Sequence, residues 1–332
     1  MHYLNYFNRT AAEIDESWKY FNIVLLCEVP LQILSMCYFV LVLYLNAATP
    51  QYHLNMRVLY GLYSGEYLIY MICRLAQISY TFSDRHLTDE LGFLVASFMR
   101  CFCAFIAFYY LPIAMIERCC ATYYLRDYEQ NHRLHISVLL MILQCSISAI
   151  STAIFHTALT SLPQVAVFVA VNLVAVIANM INERMNHALF KDSTGGLKQY
   201  CLAERFQISE NIRTSKSFNR VVLSIMVFNT VCIGALAIDN FDVTIYYTNL
   251  STVLFNYSVL MYGFTVPFVM YCHNDLWQNE LRRLIGKLRT KPAETVPLAR
   301  IRSTFGKEMV INNADHATRY FEMLQKDWSQ MK

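Results

Sequence analysis

The chain has 332 residues, of which 56% are hydrophobic, 14% aromatic and only 15% charged, where an ordinary soluble domain carries about 25% charged residues. Mean hydropathy is +0.32. This balance excludes disordered, collagen-like, low-complexity and solenoid chains, and a net charge of only +3 argues against nucleic acid as a partner.

A bilayer core about 30 Å thick needs about 20 mainly apolar residues in a helix. The first 19 residues are polar and acidic and contain no apolar signal-peptide core, so the first long run, Tyr20–Asn46, serves as its own insertion signal. Six more follow in chain order: Arg57–Tyr80, Leu91–Ile116, Leu134–Leu159, Pro163–Ile181, Val221–Ile238 and Asn249–Cys272. Most lack the polar stripe at a 3.6-residue period that a soluble surface helix shows. The expected fold is therefore an all-α polytopic membrane protein with seven transmembrane helices. Residues 1–19 form an extracellular segment, 20–273 the seven-helix domain, 274–291 an amphipathic juxtamembrane helix and 292–332 a cytoplasmic tail.

Orientation follows from the basic residues. With the N-terminus outside, 22 Lys and Arg fall on the cytoplasmic side and 3 outside, as the positive-inside rule requires. An Asn-Arg-Thr sequon makes Asn8 a glycosylation candidate on the exterior segment. Of the 11 cysteines, most lie in spans or on the inner face, where thiols stay reduced. Cys119, Cys120 and Cys272 sit at the inner membrane boundary and are candidates for S-palmitoylation. Cys/His spacings suited to zinc are missing, as are phosphate loops, so neither a metal nor a cofactor is implied.

Four charges fall within spans: Glu28, Glu66, Arg74 and Arg100. A lone charge at the bilayer centre costs roughly 2.5–3.5 kcal/mol on insertion scales, so each is expected to face the bundle interior. At 1.5 Å per residue, Glu28, Arg74 and Arg100 lie about 8–12 Å below the outer surface, and Glu66 lies deeper. Glu28 is expected to pair with Arg74 or Arg100. The cluster reads either as an ion-pair network joining the first three spans or as a ligand-contacting patch in an outer cavity, with Phe105, Phe108, Tyr109 and Phe255 as candidate apolar walls. A small organic ligand suits such a cavity, because the N-terminal segment is too short to fold as a peptide-binding domain.

At the inner end of the third span the chain reads Glu117-Arg118, then Ala121-Thr122-Tyr123-Tyr124 and Asp127-Tyr128-Glu129. Ahead of the sixth span come Ala203-Glu204-Arg205-Phe206-Gln207 and Glu210-Asn211-Ile212-Arg213. Both blocks resemble the nematode serpentine receptors of class epsilon, and with seven spans in matching order the resemblance covers Tyr20 to about Lys291. It implies a G-protein-coupled chemoreceptor on the plasma membrane of sensory neurons, at their cilia. By analogy with rhodopsin-like receptors it places Glu117 and Arg118 as the acidic–Arg pair that locks an inactive state. Tyr128, Glu129, Arg205, Glu210 and Arg213 then join them in coupling to a heterotrimeric G protein. The seventh span departs from the rhodopsin pattern: Val266-Pro267-Phe268-Val269-Met270-Tyr271 has no Asn before the Pro.

The third cytoplasmic loop, Glu183–Arg220, is broken by Gly195-Gly196 into two arms, the second reading as a helical extension of the sixth span. After the seventh span, Trp277, Leu281, Leu284, Ile285 and Leu288 share a face, with Arg282, Arg283, Lys287 and Arg289 elsewhere. That pattern predicts an eighth, amphipathic helix on the inner leaflet with cations facing anionic lipid. Tyr320, Phe321, Leu324 and Trp328 predict another short one. The sequence argues against an enzyme, because His135, His156 and His273 stand singly near span ends, and the lack of a Lys in the seventh span excludes an ordinary opsin. The competing reading is a seven-helix ligand-gated ion-channel subunit of inverted topology.

Overall fold

In a bilayer every backbone N–H and C=O must find its partner within the protein, which leaves helices as the way for these apolar runs to cross. The computed structural model describes residues 7–49, 54–83, 91–124, 134–157, 160–194, 202–238, 240–241 and 243–288. Among them it contains nine helices and no strand: α1 Arg9–Ile14, α2 Trp18–Ala48, α3 Leu54–Phe82, α4 Leu91–Tyr123, α5 Leu134–Thr157, α6 Leu162–Thr194, α7 Leu202–Ile238, α8 Ile245–Cys272 and α9 Asp275–Leu288. The chain divides into two units, Met1–Ile285 and Gly286–Lys332. Only residues 286–288 of the second are described, as the last turn of α9.

Six helices, α2 and α4 to α8, are long and apolar enough to cross a membrane. Much of the apolar surface of α2, α5, α6 and α7 faces outward: only 22% of the apolar window of α6 is buried among other helices, against 56% for α4. The second expected span, α3, has the length at 29 residues but falls short in apolarity. The reason is packing. α3 buries Asn55, Ser64, Glu66, Arg74, Gln77 and Thr81 together with Tyr60, Tyr63, Tyr67 and Tyr70. Its polar residues therefore face neighbouring helices, the arrangement expected where polar side chains sit inside a membrane bundle.

The helices of the first unit pack in a closed sequence, α2 on α3, α3 on α4, α4 on α6, α6 on α7, α7 on α8 and α8 back on α2, with α5 against α3 and α4. α4 also meets α7 and is the hub. Pro30, Pro112 and Pro267 lie inside α2, α4 and α8. Each removes a backbone donor, which membrane helices tolerate.

The structure extends four expectations. The third span ends at Ile116 by hydropathy, but α4 runs to Tyr123, so Glu117, Arg118, Cys119 and Cys120 are helical. The apolar run of the fifth span ends at Ile181, but α6 continues to Thr194, about 20 Å farther at 1.5 Å per residue. The first arm of the third loop is thus helix up to Thr194. An apolar run measures hydrocarbon thickness, and a helix continues into water wherever its residues are good helix formers.

The polar N-terminal segment packs on the bundle. The Ala11 N–H donates to Asn8 Oδ1 at 3.0 Å, capping α1, and Phe7 and Ala12 pack with Phe21 and Leu25. Finally, the expected eighth helix is α9, and Trp277 on its apolar face is 1% exposed. It packs 5.9 Å from the Tyr60 ring while Asn274 Oδ1 accepts its backbone N–H at 2.8 Å. The second short helix expected in the tail lies outside the described residues.

Candidate functional site

Three helices deliver the charged residues to one layer of the bundle. Counting from the outer ends of α2, α3 and α4, Glu28, Arg74 and Arg100 lie about 12–15 Å down. All three are buried. Arg74 Nε donates to Glu28 Oε1 and Arg74 Nη2 to Glu28 Oε2, both at 2.7 Å, a bidentate pair between α3 and α2. Gln32, one turn on, adds a donor to Glu28 Oε1 at 3.3 Å. Of the two partners open to Glu28, Arg74 is the one it meets.

Arg100 is held differently. Its guanidinium donates to Gln77 Oε1 on α3 and Asn256 Oδ1 on α8, and lies 5.2 Å from the centroid of the Tyr70 ring. Asn256 in turn donates to the Thr252 carbonyl at 2.8 Å, and the Tyr257 hydroxyl reaches the Val24 carbonyl of α2 at 2.8 Å. The layer therefore joins α2, α3, α4 and α8 through two charged centres. Gln77 and Asn256 were missed by reading charges alone. The signal for Asn256 was there, since an amide in an apolar span is itself a sign of an inward face.

Glu66 lies about 12 Å further in along α3. It is buried, and its Oε1 finds no hydrogen-bond partner among the described residues. It lines a cavity of about 30 Å³ together with Tyr70, Phe108, Asn229, Phe255 and Tyr262, enough for water rather than an organic molecule. Of the expected apolar walls, Phe108 and Phe255 line this cavity. Phe105 and Tyr109 instead pack on Phe168, with centroids 5.1 and 5.4 Å away.

Above the charged layer, α1 is clasped to the bundle. The Asn8 N–H donates to Asn249 Oδ1 at 2.9 Å, and Asn249 Nδ2 returns a bond to the Asn8 carbonyl at 3.1 Å. Arg9 Nη1 donates to the Thr81 and Phe82 carbonyls at the end of α3, at 3.3 and 3.1 Å. Its guanidinium lies 5.0 Å from the Trp18 ring centroid.

At the inner end of α4, Arg118 Nε and Nη2 donate to Glu117 Oε2 and Oε1 at 2.5 and 2.8 Å, and both side chains are buried. Consecutive residues on a helix do not ordinarily face one another, so the two side chains turn toward each other to close the pair. One turn on, the Thr122 hydroxyl donates to the Arg118 carbonyl at 3.1 Å and accepts from Asn186 Nδ2 of α6 at 3.1 Å. Asn219 of α7 donates to Glu183 of α6 at 2.6 Å. Arg205, Glu210 and Arg213 lie on α7, but their side chains are outside the described residues, as are Tyr128 and Glu129 altogether. Cys119 and Cys272 are exposed and Cys120 half-buried. Among the described residues no three His, Cys, Asp or Glu side chains cluster as metal ligands would.

Comparison with known proteins bears on what this bundle does. A family model described as Sre G protein-coupled chemoreceptor matches residues 84–329. Serpentine receptor class epsilon-13 of Caenorhabditis elegans is 32% identical over 98% of this chain and 96% of its own length. Serpentine receptor class epsilon-8 of the same organism is 30% identical, with 98% and 96% covered. Serpentine receptor class epsilon-12 is 27% identical, with 98% of both chains covered.

Proposed function

Because the chain belongs to the Sre family of G protein-coupled chemoreceptors, we propose that it binds a small organic ligand in the outer part of the helix bundle and signals to a heterotrimeric G protein through its cytoplasmic helix ends. The observation that carries this reading is the buried Glu117–Arg118 pair beside the Thr122–Asn186 bridge from α4 to α6. A guanidinium paired with a carboxylate at a helix end has two discrete arrangements, paired and released, and a ligand that prefers one shifts the population toward it.

At the outer side, a ligand acts on the layer of Glu28, Arg74 and Arg100. Ligand sites ordinarily enclose about 300–1,000 Å³, so binding there requires helices to move apart and disturbs the bonds that Arg100 makes to α3 and α8. Tyr128, Glu129, Arg205, Glu210 and Arg213 complete the coupling surface in this reading. Exposed Arg282 and Arg283 on α9 are placed for anionic lipid. The site of action is the plasma membrane of sensory neurons, at the cilia. The family match does not favour the inverted ion-channel subunit.

The test is a screen of volatile and water-soluble small organic compounds on cells expressing the full chain with a panel of Gα subunits. The expected result is a second-messenger response that is abolished when guanine-nucleotide exchange is blocked, and altered in basal level by E117Q. A compound that evokes a membrane current insensitive to that block, with no second-messenger change, would overturn the reading.

A further inference from the structure

A groove of about 680 Å³ runs between α4 and α6, lined by Pro112, Ile116, Cys119 and Cys120 from α4 and by Ala170 and Val174 among others from α6. Its cause is in the sequence. The α6 face opposite these residues carries alanines at 170, 175 and 178 where larger side chains would fill the space. Its lining is apolar apart from the two thiols and the hydroxyls of Tyr123 and Tyr124. The two thiols are its reactive groups.

We propose that Cys119 and Cys120 are S-acylated and that the acyl chain lies in this groove. Three observations select that occupant. Cys119 is exposed and Cys120 half-buried, so a thiol opens on the groove rather than being sealed in the core. Both lie beyond Ile116, where the apolar run ends, which is the level at which a cytoplasmic acyl donor meets the chain. From the two thiols the groove runs back along α4 to Pro112, about 10–12 Å at 1.5 Å per residue, and one leaflet of an about 30 Å hydrocarbon core is about 15 Å deep. An acyl chain attached at either thiol follows that length towards the bilayer centre.

The chemistry is acyl transfer without redox change. The cysteine Sγ, its proton lost, attacks the carbonyl carbon of a long-chain acyl thioester. The new C–S bond forms as the bond to the carrier sulfur breaks, and the carrier leaves as its thiol with the proton. The seated chain then packs α4 against α6 beside the bond from Asn186 to Thr122 that already joins them. Any effect on Arg118 rests on the receptor reading above, whereas the acylation itself does not.

The experiment expresses the full chain in eukaryotic cells, cleaves thioesters with hydroxylamine and attaches a mass tag to each freed thiol. A second arm feeds the cells a diazirine-bearing fatty acid and maps the photo-crosslinks. We expect a hydroxylamine-dependent shift that survives C272S, is lost in C119S/C120S, and is accompanied by crosslinks within residues 170–178. C119A/C120A, checked by gel filtration, guards against misfolding of the serine variant. No hydroxylamine-dependent shift, or one that persists in both double variants, overturns the modification. Crosslinks to α6 that persist without the two thiols show a free phospholipid chain in the groove and overturn the seating. None of these readouts needs a ligand or a G protein, so failure here is distinguishable from failure of the receptor assignment.

Discussion

Glu28 and Arg74 close two short hydrogen bonds where neither side chain reaches water, and removing one partner strands the other. A buried ion left alone costs about 3–5 kcal/mol, whereas replacing both partners with apolar residues of similar size is near neutral. We therefore expect E28L or R74M alone to lower the thermal unfolding temperature of the detergent-solubilised chain sharply, and the two together to recover most of the loss. A double variant no better than the sum of the singles would show that the pair does not act as a unit. This pair was within reach of the sequence, because depth along a helix is arithmetic and three charges at one depth have few ways to meet. The bonds from Arg100 to Gln77 and Asn256 were not, because amides carry no sign to match and a linear sequence does not reveal which spans adjoin. α8 meets α2 only because the bundle closes on itself.

At the scale of elements, existence was legible and length was not. The hydrophobic run marks where a helix lies in hydrocarbon, and its ends are set by capping and packing instead. α9 shows the difference: its amphipathic pattern is plain in the sequence, yet Trp277 anchors it on Tyr60 of the bundle. Losing a buried tryptophan costs about 3–5 kcal/mol, and losing an N-cap side chain about 1 kcal/mol. W277A is expected to speed hydrogen exchange throughout residues 275–285 and N274A to do so less, with exchange in α5 unchanged in both. Equal exchange in W277A and the parent chain would mean that α9 is held by lipid and not by the bundle. α1 tests the same logic at the other face. N249A removes both bonds to Asn8 and is expected to raise exchange in residues 9–14 while leaving α2 beyond Leu25 as protected as before.

With the N-terminus outside, the seven expected spans put 22 basic residues on the cytoplasmic side and 3 on the other, the direction that the positive-inside rule predicts, and the family resemblance was legible in two blocks of residues, one after the third span and one ahead of the sixth. Those blocks were readable because they combine charges and aromatics in a fixed order. What the helices exchange when the receptor responds was not, because it depends on helix positions that no local pattern encodes. Direction is also testable through Asn8, and the structure decides which substitution to use. Asn8 caps α1 through its side chain, so N8Q would disturb the clasp as well as the sequon. Thr10 is exposed and completes the sequon without entering the cap, so T10A removes the acceptor signal and leaves the fold intact. With the N-terminus outside, the chain made in eukaryotic cells should migrate faster after endoglycosidase treatment, and T10A should abolish that shift without changing thermal stability. A tag placed before Tyr3 should then be cleaved by protease on intact cells. Protection of that tag until the membrane is permeabilised would reverse the topology and with it the side on which Glu117 and Arg118 meet a G protein.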